Sequence, residues 1–170
     1  MGREVRRVPA TWEHPKNGAG SPIPLKDGFN AGVATWDRQA ALWKRGLRDP
    51  FGSEGTEPVP HGQNYGFKAW DGKRPGPESY MPDWPAAERT HFQMYETTTE
   101  GTPISPVMES PETLARWLAD TGASSFGPRT ATYEAWLAVC RAWWAPGLVA
   151  DVAADGGVVR SGVEFLGERH

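Results

Sequence analysis

Backbone punctuation is what most constrains this chain: glycine (20) and proline (16) together hold 36 of its 170 positions. An average chain gives those two residues roughly 12% of its length. Proline removes a backbone donor and locks φ, and glycine loses more entropy on ordering than any other residue. Regular elements must therefore be short and loops long, which excludes a uniform helical bundle. The apolar fraction is 38%, below the usual ~45–50%. Nine tryptophans compensate, each a large apolar body whose N–H wants a partner. A length of 170 predicts one domain.

The punctuation divides the chain into legible segments. "REVRRVP" near the start predicts a short edge strand or an extended arm, and residues 9–27 predict a loop broken by Pro15, Asn17-Gly18, Pro22 and Pro24. Phe29, Val33, Trp36, Ala40, Trp43 and Leu47 then recur at spacings of four and three, one stripe of an amphipathic helix ended by Gly46. Residues 49–85 carry Pro and Gly throughout, yet also Phe51, Tyr65, Phe67, Trp70, Tyr80 and Trp84. Aromatics at that density predict an ordered wrapping segment rather than a linker. Asp83 and Pro85 open a second predicted helix, with Glu88, His91, Phe92 and Tyr95 on adjoining faces. A third is signed by Ser110 as cap, Pro111 as first residue and Gly122 as stop. A fourth spans about 130–144, with Tyr133, Trp136, Leu137, Cys140, Trp143 and Trp144 on its apolar face. Asp155-Gly156 between two β-branched runs predicts a C-terminal hairpin, which the N-terminal strand could join. The expected class is α+β: about four helices, a small antiparallel sheet and long ordered loops.

Several functions are disfavoured. A net charge of -3 offers no extended nucleic-acid surface. One cysteine, Cys140, leaves no internal disulfide and fits a reducing cytoplasm. No apolar run is long enough to span a bilayer, and the N-terminus lacks a signal-peptide core. No phosphate loop or dinucleotide fingerprint is present, so no cofactor is expected. Metal is not expected either, because Cys140 is alone and His14, His61 and His91 are scattered; His14 and His61 read as turn residues.

Three constellations remain. Glu96, Thr97, Thr98, Thr99, Glu100, Thr102 and Ser105 form a hydroxyl- and carboxylate-rich segment stiffened by Pro103 and Pro106. It reads as a connector or short strand pair, as a protein-binding loop, or as a small-molecule site. Arg3, Arg6 and Arg7 could contact phosphates, but equally suit the charged edge of a strand. A catalytic alternative takes His91 as base beside Tyr95, oriented by Glu96 or Glu88, with a nucleophile from Thr97 to Thr99 or Cys140.

"MGREVRRVPATWEHP", "HFQMYETTTEGTPISPVMESPETLARWLAD" and "ATYEAWLA" resemble a family of small proteins carried by bacteriophages and prophages. The resemblance covers most of the chain, least so residues 49–80. It carries no established activity and therefore no functional residue. It implies a phage-encoded protein made in the cytoplasm of a bacterial host, where such accessory proteins often bind host machinery, CRISPR complexes among them. The expected function is a binder of a host or phage protein; the alternatives are a virion or assembly component and a nucleotide-binding protein or enzyme.

Overall fold

The computed structural model describes residues 2–50, 55–60, 65–97, 101–151 and 158–168. In chain order its elements are β1 (Arg3–Val8), α1 (Phe29–Lys44), β2 (Leu47–Arg48), β3 (Glu57–Pro58) and α2 (Phe67–Asp71). There follow β4 (His91–Glu96), β5 (Thr102–Pro103), α3 (Pro111–Asp120), α4 (Tyr133–Ala142), β6 (Trp144–Ala145), β7 (Leu148–Asp151), β8 (Val158–Ser161) and α5 (Gly162–Gly167). The fold is α+β, as the sequence predicts. Phe51, His61 and the Asp155-Gly156 turn lie outside the described residues. The chain divides into two compact units, Met1–Leu25 with Trp84–His170, and Lys26–Asp83.

The Lys26–Asp83 unit is organised by α1. Its apolar stripe collects rings from the Pro/Gly-rich segment that follows it. Trp36 meets Phe67 at 5.2 Å, Trp43 stacks on Trp70 at 5.4 Å, and Phe29 meets Tyr80 edge-on at 5.3 Å. No residue of α1 is fully buried, because short coil covers the stripe only partly. Arg74 adds a bidentate pair to Asp37, 2.8 Å in each arm.

The larger unit is built on a four-stranded antiparallel sheet in the order β5-β4-β1-β6. β1 is therefore interior, not the edge strand or free arm its arginines suggest. It pairs with β4 over six residues, from Arg3 opposite Glu96 to Val8 opposite His91, and with β6 at Arg3 and Glu4. β7 and β8 pair antiparallel, as expected, with Asp151 opposite Val158, while β1 belongs to a different sheet.

The second predicted helix is absent, and this is the main correction. Pro85 begins only a turn, closed by the Glu88 amide on the Pro85 carbonyl at 3.0 Å, and residues 91–96 are strand. A run of six residues is too short for its spacings to fix a helix, and as a strand its side chains alternate. Phe92, Met94 and Glu96 fall on one face, and His91, Gln93 and Tyr95 on the other. Pairing with β1 decides between the two.

The first of those faces packs under α3 and α4. Val5, Met94, Leu114, Leu118, Trp136, Val139, Cys140, Ala145 and Val163 form the core there. α3 starts as its sequence predicts. Ser110 Oγ accepts the Thr113 amide and Thr113 Oγ1 accepts the Ser110 amide, a capping box with threonine in the position where glutamate is usual. Arg116 over the Tyr133 ring at 3.9 Å and Arg141 to Glu112 at 3.2 Å tie α3 to α4.

Candidate functional site

The second face of the sheet is covered by coil. Trp12 and His14 meet Tyr95 there, and the Leu25 carbonyl meets Arg6. Tyr95 is completely buried, and its hydroxyl donates to Gln93 Oε1 at 2.7 Å. Trp12 Nε1 donates to the same hydroxyl oxygen at 3.2 Å, while Trp12 stacks edge-on against Trp84 at 4.7 Å. Burial pushes the Tyr95 phenol up to about 12, against the lowering pull of Trp12 and Arg6. His14, expected as a turn residue, is half-buried, with Nε2 2.6 Å from the Ile23 carbonyl oxygen and Nδ1 3.4 Å from the Tyr95 hydroxyl. Only the folding of the loop brings it there; nothing in "WEHP" marks it.

Two of the three arginines of β1, Arg3 and Arg6, are buried against protein partners. Arg3 is 2% exposed and donates to the Ser124 carbonyl at 2.8 and 3.0 Å and to Glu96 at 3.2 Å. Arg6 donates to the Leu25 carbonyl at 2.6 Å, pairs with Glu4 at 3.0 Å, and lies 4.5 Å over the Tyr95 ring. Arg7 is exposed, with its guanidinium 5.9 Å over Phe92.

The described ends of the hydroxyl-rich segment belong to the antiparallel pair β4–β5. Tyr95 pairs with Pro103, and Glu96 with Thr102. Ser105 is buried: its Oγ accepts the Met94 amide at 2.9 Å and donates to the Pro106 carbonyl at 2.9 Å. Gly101 has φ 103°, and a Cβ there would come 1.9 Å from the Leu25 carbonyl oxygen, so only glycine fits. Thr98, Thr99 and Glu100 lie outside the described residues.

The catalytic grouping does not assemble. In a strand, four positions separate His91 from Tyr95 by roughly 13 Å, and Glu96 points to the opposite face. His91 instead meets Thr90 Oγ1 at 2.9 Å. Cys140 is buried in the core, where burial and the Glu112 charge push its thiol up to about 12, far from a reactive thiolate.

Two surface features of this unit remain. A cleft of about 410 Å³ opens between the start of α4 and α5. Its polar lining is committed to helix starts: Thr132 caps Ala135, and Glu164 holds the Ser161 amide, which keeps that carboxyl below its usual range. The other feature is aromatic. Trp143 is 45% exposed, Trp144 53% and Leu148 44%. Trp143 ends α4 at φ 67°, ψ -16°, and among the described residues it alone combines a side chain with positive φ. Its ring lies 5.9 Å from Phe92, and its carbonyl accepts the Val5 amide at 2.8 Å. Trp144 leans over Gly2, where a Cβ would lie 3.6 Å from its Nε1 and 2.7 Å from Thr97 Oγ1. The start of the sequence-predicted binding loop and one exposed indole therefore share Gly2 as a common floor. The α4 periodicity placed both indoles on a buried face, because it ran two residues past the true helix end.

Among the described residues no group of three or more His, Cys, Asp or Glu is arranged to hold a metal ion, and no helix is long and apolar enough to cross a membrane. No family model, curated protein or solved structure matches the chain.

Proposed function

We propose that this protein is a non-catalytic binder that docks another protein through the segment carrying the exposed side chains Trp143, Trp144 and Leu148. The observation that carries the reading is the backbone of Trp143. A left-handed residue at a helix end is normally glycine, and a side chain there costs about 1–2 kcal/mol. Here the strain is borne by an indole that is half exposed, so the core does not explain it. The turn into β6 needs the left-handed backbone, but glycine would adopt it more readily, so a half-exposed tryptophan kept there points to use, and tryptophan is among the commonest anchors of protein interfaces. The resemblance to phage-encoded proteins makes the partner a host or phage protein, with a bacterial defence complex such as a CRISPR effector the first class to examine.

The reading is tested by capture from host cells with the wild type, Trp143→Gly and Trp144→Ala. A stoichiometric partner held by the wild type and lost by both variants is the expected result. Trp143→Gly should melt at the same temperature or a few degrees higher, since relief of strain outweighs glycine's entropy cost of roughly 0.5–1 kcal/mol. Undiminished capture by both variants refutes the proposal.

A further inference from the structure

β1 carries three arginines, and the fold itself engages the donors of only two. Arg3 holds Glu96 at 3.2 Å and the Ser124 carbonyl, and Arg6 holds Glu4 at 3.0 Å and the Leu25 carbonyl. Arg7 is exposed, and its side chain makes no hydrogen bond or ion pair among the described residues. The acids of β1 and β4, Glu4 and Glu96, are held by the other two arginines, and Glu112 of α3 is held by Arg141 near the end of α4 at 3.2 Å.

Arg7 is nevertheless positioned. It stands opposite Phe92 in the β1–β4 register, on the same side of the sheet, and its guanidinium lies 5.9 Å over the phenyl ring. The Trp143 ring lies 5.9 Å from the same phenyl, tilted by 36°. Phe92 is half-buried and packs against the core, so it anchors the group, while Arg7 and Trp143 are exposed. A guanidinium whose face rests on a ring keeps its in-plane N–H donors for an acceptor, and their fork matches the two oxygens of a carboxylate.

A phosphate presents similar oxygens. A nucleic-acid strand, though, is held by several cations side by side, and burial of Arg3 and Arg6 leaves Arg7 as the exposed arginine of β1. The net charge of -3 adds no general attraction for a polyanion. One carboxylate beside one apolar side chain asks for no more than Arg7 and Trp143 supply.

We infer that Arg7, aligned by Phe92, receives an aspartate or glutamate of the partner protein while Trp143 takes the apolar side chain beside it. This rests on the docking reading above and names the chemistry of the partner's contact segment, acidic and apolar in close succession.

The experiment has two arms. In NMR of the chain alone, an alternating Glu-Leu peptide at millimolar concentration should shift the Arg7 Nε–H and Trp143 Nε1–H signals together, and oligothymidylate should move neither. In Arg7→Gln, whose β1–β4 amide signals report the intact fold, the peptide should no longer shift Trp143. In capture from host cells, Arg7→Gln should hold the partner about tenfold more weakly or worse, as for a lost hydrogen bond between charged groups. Arg7→Lys keeps the charge without the fork and should recover only part of the loss; carbodiimide should then join the introduced amine to an aspartate or glutamate of the partner. An Arg7 signal unmoved by the peptide, a response to oligothymidylate instead, or full capture by Arg7→Gln where Trp143→Gly captures nothing would each overturn the inference, and the last leaves the docking reading intact. Full capture by Trp143→Gly refutes that reading, and the titration, which needs no partner, still decides the role of Arg7.

Discussion

A single side chain in this protein often does the opposite of what its neighbours in sequence suggest. Three arginines within five positions look like an anion site or a charged edge, yet two of them are buried donors. Removing two charges from water is expensive unless each finds partners, and breaking such a pair strands the survivor. Glu96→Ala should therefore lower unfolding free energy by about 1.5–3 kcal/mol, the range for hydrogen bonds to charged groups, because Arg3 then loses its carboxylate. Urea unfolding checks this, and a loss below about 0.5 kcal/mol would show the pair to be idle. Gly101→Ala should be more damaging, by 2 kcal/mol or more. Its Cβ would collide with the Leu25 carbonyl from a backbone conformation that alanine already resists. Neither position could be ranked from sequence, since both roles depend on residues far along the chain.

At the level of elements, the start of α3 proved readable and the β4 strand did not. Ser110-Pro111 places the start of α3 because a cap is a local device, a side chain closing on an amide three residues away. Ser110→Ala should accordingly lower stability by about 1 kcal/mol and Ser110→Asp by much less, measurable as a shift in melting temperature. Residues 91–96 carry no such local device. Their apolar spacing suits a helix or a strand, and β1, some 85 positions earlier, settles the question by pairing with them. The end of α4 failed for a related reason. Apolar periodicity continues through Trp143 and Trp144, but the Val5 amide captures the Trp143 carbonyl and draws the chain out of the helix into β6.

Across the whole molecule, the response to pH follows from which groups were buried. The His14 ring is held below 6.5 in the folded state, so as pH falls the unfolded chain takes up the proton first. Stability should fall as pH drops through 6.5, and His14→Gln should flatten that limb. Glu112 and Glu164 are held below 4.5 and Asp37 below 3.8, so a second loss is expected only at lower pH. At the alkaline end the sign reverses. Cys140 and Tyr95 are pushed up to about 12 from 9.0 and 10.0, so folding favours their protonated forms and stability is lost as pH rises through that interval. Melting temperature against pH should be flat from about 7 to 9 and fall on both sides; an acid limb that begins only below 5 would contradict the placement of His14.

What the sequence determined unaided was local or compositional: the mixed class and long loops from its glycine and proline content, the stripe of α1, the cap of α3, and the pairing of the two terminal strands. Those features follow from interactions across three or four residues, or from the intrinsic limits of single residue types. Tertiary structure alone decided that β1 lies inside the sheet, that 91–96 is strand, that His14 is half-buried against Tyr95 and Ile23, and that Trp143 and Trp144 are exposed. Each of those outcomes rests on a contact between distant parts of the chain, and its energy is set by where desolvation falls, which no short stretch of sequence encodes.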